Sequence, residues 1–292
     1  MNSKYLLLTA LLGFTCVHAG ETIDERAAVQ PDGHVRVANV VGRIEIEAWD
    51  KDEVAVTGTL GRNVERLEFR VDGKHTTIKV IYPDGRSSGS TELFIRIPAL
   101  SELTASGVST DIDVRGVLGV QRLETISGDI EAEAFSTDLE MKTVSGDTRV
   151  NGHNQESLVT VTTVSGDCIV RDVAGELEAT TVSGSVDATA AVLSRARIKT
   201  TNGDIELTTA IAPGGRITAT TINGDVEVEL ADRENLDLDV ETFNGGINTC
   251  FDAEVERKSK YGPGRFLRYS SGDADRSLRV ETLNGSVDVC DR

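Results

Sequence analysis

The chain has 292 residues and carries 48 acidic against 30 basic side chains, for a net charge of −18 at pH 7. This balance argues against nucleic acid or an anionic membrane surface as a partner, because both require a basic contact surface. Aromatic residues make up only 4% of the chain. A narrow core of small β-branched side chains fits that composition better than a globular core with bulky anchors.

Residues 1–19 have the features of a cleaved secretory signal. Lys4 supplies the positive start, residues 5–14 form a short apolar run, and Val17 to Ala19 offer small residues at the cleavage position. The run is too short to span a bilayer, and no later segment reaches that length. We therefore predict a periplasmic or secreted protein without a transmembrane segment. Lipidation of Cys16 is the weaker alternative, because the residues before it do not match a lipidation signal.

Residues 20–100 are predicted to form an irregular, strand-rich leader. Runs of alternating polarity indicate strands at residues 54–59, 67–71, 76–82 and 93–97, with a Gly/Ser-rich loop at 85–90. We expect the leader to cover the first coil of the repeat region that follows it, because an open stack end exposes a sheet edge. An independent domain is the alternative.

One phrase recurs through residues 101–292: Thr, an apolar residue, Ser or Asn, Gly, commonly Asp, and a second apolar residue. Its glycines lie 18, 20, 18, 19, 21, 21 and 40 residues apart. Weaker copies precede them near Thr110 and Gly42. The eight clear copies begin at Thr125, Thr143, Thr163, Thr181, Thr200, Thr221, Thr242 and Thr282.

The repeat predicts an all-β fold, a β-solenoid with coils of 18–21 residues. Alternating polarity on each side of the Gly indicates two half-buried strands per coil, and Ser-Gly or Asn-Gly supplies the corner. Equivalent residues of successive coils would stack about 4.8 Å apart, which a hairpin meander would not require. We expect the repeated Thr side chains to point inward and bond to one another, and the Ser and Asn residues to form a polar ladder.

The phrase T-[VIL]-[SN]-G-[DS]-[IV], behind a signal peptide and a strand-rich leader, resembles the bacterial β-strand-repeat proteins grouped as candidate adhesins of unknown function. The similarity covers about residues 30–290, and it is most marked in the stretches 241–247 (ETFNGGI) and 260–264 (KYGPG). The resemblance implies an envelope location and a β-solenoid fold. It brings no established reaction and no catalytic residues.

Two cysteines occupy the same position in two coils. Cys250 and Cys290 each lie five residues after a motif Gly. If their coils are neighbours, stacked Cα atoms about 4.8 Å apart fall within disulfide range, and export leads to an oxidising compartment. We predict a Cys250–Cys290 disulfide, with Cys168 as a small buried thiol.

An acidic row follows the motif glycines. A row of carboxylates could bind Ca²⁺, which takes oxygen ligands; we favour the alternative that each Asp caps its own turn and faces water. No other cofactor is indicated. The row consists of Asp111, Asp129, Asp147, Asp167, Asp204 and Asp225.

Arg149 stands among three of these acids, Asp129, Asp147 and Asp167. Some β-helix enzymes cleave polysaccharides with clustered carboxylates and a basic residue on one face. A carbohydrate-active enzyme, either a lyase or a hydrolase, is therefore the alternative function. A surface ion-pair network is the more common use of such a cluster.

Residues 251–277 fill the lengthened interval between the last two motifs and contain a basic segment. It could contact a polyanion or an acidic partner, or it could fold back on the acidic coils, which we favour because opposite charge is available there. The candidate contact residues are Arg257, Lys258, Lys260, Tyr261, Arg265 and Arg268. The sequence as a whole favours a non-catalytic binding or scaffold protein whose partner is an envelope protein or a glycan.

Overall fold

The computed structural model describes residues 21–83, 89–231, 234–259 and 262–291, so the predicted signal segment lies outside the described residues. The described part of the chain is all-β and contains no α-helix, and accordingly no helix that could span a membrane. Its strands are β1 Thr22–Ala28, β2 His34–Ala38, β3 Val41–Trp49, β4 Glu53–Thr59, β5 Arg66–Asp72, β6 His75–Ile81, β7 Thr91–Pro98, β8 Glu102–Ser106, β9 Ser109–Arg115, β10 Gln121–Glu124, β11 Ile130–Ala134, β12 Leu139–Lys142, β13 Thr148–Gly152, β14 Glu156–Thr162, β15 Cys168–Thr180, β16 Val186–Lys199, β17 Ile205–Asn223, β18 Val226–Leu230, β19 Leu236–Asn244, β20 Ile247–Thr249, β21 Glu256–Arg257, β22 Arg265–Ser270, β23 Arg276–Asn284 and β24 Val287–Asp291.

The strands stack into two parallel ladders, as a β-solenoid requires. The first ladder runs β6, β2, β8, β10, β12, β14, the second halves of β15, β16 and β17, then β23 and β19. The second runs β7, β3, β9, β11, β13, the first halves of β15 to β17, then β18, β24 and β20. Each coil contributes one strand to each ladder, which confirms the predicted fold class.

The alternating sequence explains the core. In β11 and β18 every second residue is buried, so one face of each strand points between the ladders. The buried side chains are mainly Val, Ile, Leu and Ala, and they form one cluster along the stack. Stacked aliphatic residues of similar size fill most of this narrow interior, and Phe251 is the one aromatic residue in the buried cluster of the described residues.

The coils do not stack in chain order at the far end. Strand β23 pairs with β17 on one side and with β19 on the other. The coil of residues 276–291 therefore lies between the coil that ends at β18 and the coil formed by β19 and β20. Strand β22 then pairs antiparallel with β19 and covers its outer edge. The coil that contains Cys290, although last in the sequence, is therefore not the outermost coil.

The opposite end has the same inversion. Strands β2 and β3 form a coil that lies between two others, the coil of β6 and β7 on one side and the coil of β8 and β9 on the other. The outer coil of β6 and β7 is covered by antiparallel strands, β5 on one ladder and β4 followed by β1 on the other. Residues 34–49 are thus a coil in register with the stack, and the other strands of the leader join the same two ladders.

Candidate functional site: the motif edge

The recurring phrase forms one long corner between the two ladders, which we call the motif edge. Its Thr residues are at most 5% exposed in all eight copies, as predicted. Their hydroxyls do not bond to one another as expected. Each donates instead to a backbone carbonyl in the adjacent coil, as when Thr200 Oγ1 bonds to the Gly184 oxygen at 2.9 Å, and Thr242 and Thr282 bond in the same way. Seven of the eight acceptors are motif glycines, and Thr125 uses Thr110.

The backbones of neighbouring coils approach so closely at the motif Gly position that only glycine fits there. A Cβ atom built on Gly203 would lie 2.0 Å from the carbonyl oxygen of Gly184, and Gly224 stands in the same relation to Gly203. Gly203 also has φ +156°, which L side chains rarely adopt. A side chain at this position would push the coils apart.

An exposed row of apolar side chains, which we call the aliphatic row, runs along the motif edge. It is formed by the residue that follows the Thr of each motif copy and, one coil earlier, by Val108, which precedes Ser109 of the same ladder. All of its members are aliphatic except Phe243. Eight of the thirteen exposed large hydrophobic residues among those described lie in it, each between 42% and 53% exposed. Thr201, the polar residue at this position in its coil, interrupts the row. In spatial order the aliphatic row consists of Val108, Ile126, Val144, Val164, Val182, Ile222, Leu283 and Phe243.

A polar ladder follows the aliphatic row, one residue further along each coil. Isolated bridges connect Ser109 through Ser183 to Asn202 and Asn223. The asparagine amides donate from coil to coil, for example Asn223 Nδ2 to Asn202 Oδ1 at 2.8 Å. Asn284 continues the ladder to Asn223 and to Asn244. The predicted Ser/Asn ladder is confirmed.

The aspartates form a third row, whose hydrogen bonds differ from those expected. Asp147 Oδ1 accepts the N–H of Asp167 at 2.8 Å, so each Asp binds the next coil and not its own turn. Ser185 takes over this role with its hydroxyl. The Asp side chains remain exposed. Among the described residues, no group of three or more His, Cys, Asp or Glu is placed to hold a metal ion, and calcium binding stays untested. The bonds of the remaining aspartates follow the same pattern at Asp111, Asp129, Asp167, Asp204 and Asp225.

Arg149 lies in a surface depression of about 200 Å³ beside the aspartate row. Asp129 and Asp147 line it with Arg149, but Asp167 does not. Asp113 also lines it with a side chain only 6% exposed. One Asp113 oxygen accepts from Arg115 at 2.7 Å, while Oδ1 has no hydrogen-bond partner within the described residues. Sequence reasoning missed Asp113, whose position on an outward row gave no sign of burial.

The described part of the basic segment is a hairpin that folds onto the outermost coil. Strands β21 and β22 pair antiparallel, and β22 also pairs with β19. Lys258 forms an ion pair with Glu241, and Arg265 donates to the Gly245 carbonyl. Arg268 Nε lies 3.8 Å from Asp239 Oδ1, and Arg257 is exposed. Lys260 and Tyr261 lie outside the described residues. The hairpin's basic charge is thus directed largely toward the acidic coil beneath it.

The structure forms no disulfide among the three described cysteines, Cys168, Cys250 and Cys290. Cys168 is fully buried, and burial raises the pKa of its thiol to about 11. Thr249 pairs with Val289, so the next residues, Cys250 and Cys290, follow in register. A hydrogen bond to Cys250, together with burial, raises the pKa of the Cys290 thiol to about 11. The two thiols are neighbours, and their oxidation to a disulfide stays a prediction.

Comparison with known proteins gives a family and several solved structures with some similarity to the chain. A family model described as Toastrack DUF4097 matches residues 34–290. A candidate adhesin from Bacteroides fragilis is 12% identical, with 93% of this chain and 97% of that one covered and a TM-score of 0.46. A candidate cell adhesion protein from Clostridium sporogenes is 11% identical, with 93% and 100% covered and a TM-score of 0.30. A candidate lipid-binding protein from Parabacteroides distasonis is 12% identical, with 94% and 97% covered and a TM-score of 0.29. No curated protein matches the chain.

Proposed function

The chain belongs to the Toastrack DUF4097 family, and we propose that it is a non-catalytic binding or scaffold protein of the bacterial envelope whose contact surface is the motif edge. The proposal includes cleavage of residues 1–19 and export, which the composition of that segment supports. The partner is an envelope protein or a glycan.

The observation that carries the proposal is the exposed aliphatic row. A monomeric soluble protein scatters its exposed apolar residues singly, whereas contiguous patches mark contact sites. Among the residues that the structure describes, most of the exposed large hydrophobic side chains lie in one line, coil after coil, on a chain with 27% charged residues. Burial of this line against a partner would remove it from water, which is the main favourable term in association.

The groups around the row act in structural hydrogen bonds. The Thr hydroxyls and one oxygen of each Asp bind backbone groups of neighbouring coils. The Ser and Asn residues hold the corner through their backbone bridges. The edge therefore offers a rigid, regularly spaced surface, as expected for a scaffold whose binding surface is preorganised.

Site-specific photocrosslinking tests the proposed surface. A photoreactive residue at Val164, which lies in the aliphatic row and is 42% exposed, should crosslink to an envelope component in cells. Val192 is a matched control, since it is 43% exposed but lies outside the row. Excess unlabelled mature protein should compete with the Val164 crosslink. Equal crosslinking from both positions, or no competition, would contradict the proposal.

A carbohydrate-active enzyme is the second candidate, because the depression around Arg149 collects carboxylates and arginines. This function predicts release of reducing ends or of unsaturated products from a panel of neutral and acidic polysaccharides. Asp147→Asn is the variant to test, because Asn retains the oxygen that accepts the Asp167 N–H and removes only the charge. Activity that this change abolishes would favour the enzyme.

A further inference from the structure

We propose that the uninterrupted part of the aliphatic row, from Val108 to Val182, binds a basic amphipathic α-helix of a partner polypeptide. This inference rests on the proposed function and names the class of partner. Three observations carry it: the continuity of the apolar row, the acidic row beside it, and the spacing of the coils.

Five consecutive coils contribute an aliphatic side chain to this part of the row. The bridges Ser109–Ser127, Ser127–Ser145, Ser145–Ser165 and Ser165–Ser183 hold these coils in strict register, so the preceding residues line up. Thr201 in the next coil ends the run. Five coils about 4.8 Å apart give an apolar line about 19 Å long from first to last.

A parallel row of carboxylates lies three residues further along each coil. Asp111, Asp129, Asp147 and Asp167 are all exposed, and Ser185 follows in the fifth coil. The partner therefore needs basic residues along one side of its apolar face. A second copy bound through the same edge would add another row of carboxylates and no complementary basic row, whereas a basic partner pairs its charges with the one row present.

The coil spacing matches a helix better than an extended strand. A helix that lies along the row presents one turn per about 5.4 Å, against about 4.8 Å per coil. The mismatch of about 0.6 Å per coil reaches half a coil spacing only after about four coils. An extended strand repeats the same face every 6.8 Å or so and loses register within about two coils. The uninterrupted run of five coils spans four coil spacings, which is about the distance over which a helix stays in register with the coils.

Binding of model peptides to the purified mature protein tests the inference. The probe is a labelled helix of about 18 residues, with leucine at i, i+3, i+4 and i+7 and lysine elsewhere. One control peptide has the same composition in shuffled order, and another has glutamate in place of lysine. Fluorescence anisotropy should show the Leu/Lys helix binding at least tenfold more tightly than either control. Its affinity should fall as salt rises from about 50 to 200 mM.

Protein variants locate the site. Val144→Ser with Val164→Ser should weaken binding at least tenfold, while Val192→Ser leaves binding unchanged. Asp147→Asn with Asp167→Asn keeps the ladder acceptors and should weaken binding several-fold and reduce its salt dependence. Glu206→Gln with Glu227→Gln removes the same charge from exposed positions further along the stack, and should change affinity less than twofold.

Any of three results would overturn the inference: failure of the Leu/Lys helix to bind, equal binding of the shuffled peptide, or wild-type affinity in the valine and aspartate double variants. Melting temperatures close to wild type show that the variants are folded. If the Val164 crosslink is specific while the Leu/Lys helix fails to bind, the helix partner is wrong and the proposed function stands. If the Val164 crosslink also fails, the proposed function is wrong as well.

Discussion

Replacing Gly203 with alanine tests whether close approach between coils, and not backbone conformation alone, requires glycine at the motif edge. The new Cβ would lie 2.0 Å from the Gly184 oxygen, whereas ordinary contact begins near 3.4 Å. That oxygen also accepts the Thr200 hydroxyl at 2.9 Å, and the Gly203 N–H donates to Asn223 at 3.0 Å. Relieving the overlap therefore requires the two coils to separate and weakens hydrogen bonds on both sides.

The expected loss is about 4 kcal/mol, from about 1–3 kcal/mol of backbone strain and two weakened hydrogen bonds of about 1 kcal/mol each. For a chain of this size the melting temperature should fall by about 10 °C. Gly214 is the control, because it has φ +73° but nothing within 4 Å of its Cβ position. Alanine there should cost only the conformational term, about 1–2 kcal/mol.

Thermal and urea unfolding, followed by far-UV circular dichroism, measure both variants. A loss for Gly203→Ala no larger than that for Gly214→Ala would refute the reasoning, since it would show that the coils yield to a side chain at the corner. A larger loss with an unchanged urea slope would support it, because the slope reports the surface exposed on unfolding.

Mass mapping of the unreduced, exported protein should recover Cys250 linked to Cys290. This bond would stabilise the fold by about 4 kcal/mol in the chain-entropy model. The buried thiol of Cys168 should react with alkylating agents only after unfolding. Recovery of Cys168 in the bridge would contradict the register of β20 and β24. Millimolar Ca²⁺ should leave the melting temperature nearly unchanged, because a ligand specific for the folded state raises it; a saturable rise reversed by EDTA would restore the calcium hypothesis. Burial lowers the pKa of His34 below 6.5, so the unfolded chain binds the proton more readily and stability should fall as pH drops from about 7 to 5. His34→Gln should flatten that part of the pH profile, and an unchanged profile would assign it to other groups.

The sequence predicted the corner well because every coil repeats it. The Thr, Ser or Asn, and Gly positions recur with a period that only stacked coils explain, and the structure confirms their places. The predicted partners were less accurate. Thr200 and its equivalents reach a carbonyl in the preceding coil of the stack and not another Thr, whereas Asp147 binds the following coil and not its own turn. A repeat fixes which positions stack, but it leaves open which atoms of neighbouring coils meet.

The aliphatic row was visible in the sequence and was overlooked. Only Thr201 interrupts it among the eight clear copies. Alternation assigns this position to the outer side, where a polar residue is expected. A repeated apolar residue on an outer position is therefore the signal that could have identified the motif edge as a contact surface.

The order of the coils could not be predicted, because the copies at Thr221, Thr242 and Thr282 carry equivalent corners. Each of these three copies offers the same pairing register, so the motif alone would allow any two of the three coils to be neighbours. The hairpin of β21 and β22 decides the order, since its antiparallel pairing with β19 occupies the outer edge. The clue was the interval of 40 residues between the last two glycines.

Antiparallel strands cover most of the outer edge of the solenoid at its two ends. On the first ladder β22 covers β19 and β5 covers β6, and on the second ladder β4 and then β1 cover β7. Such a strand lacks the motif corner, so another chain cannot continue the stack in register, and the exposed edge is less able to template aggregation. The coil of β23 and β24 is held between two neighbours and must break hydrogen bonds on both sides to open. A Cys250–Cys290 bond would add a covalent link from this inner coil to the outermost one, where local opening costs least.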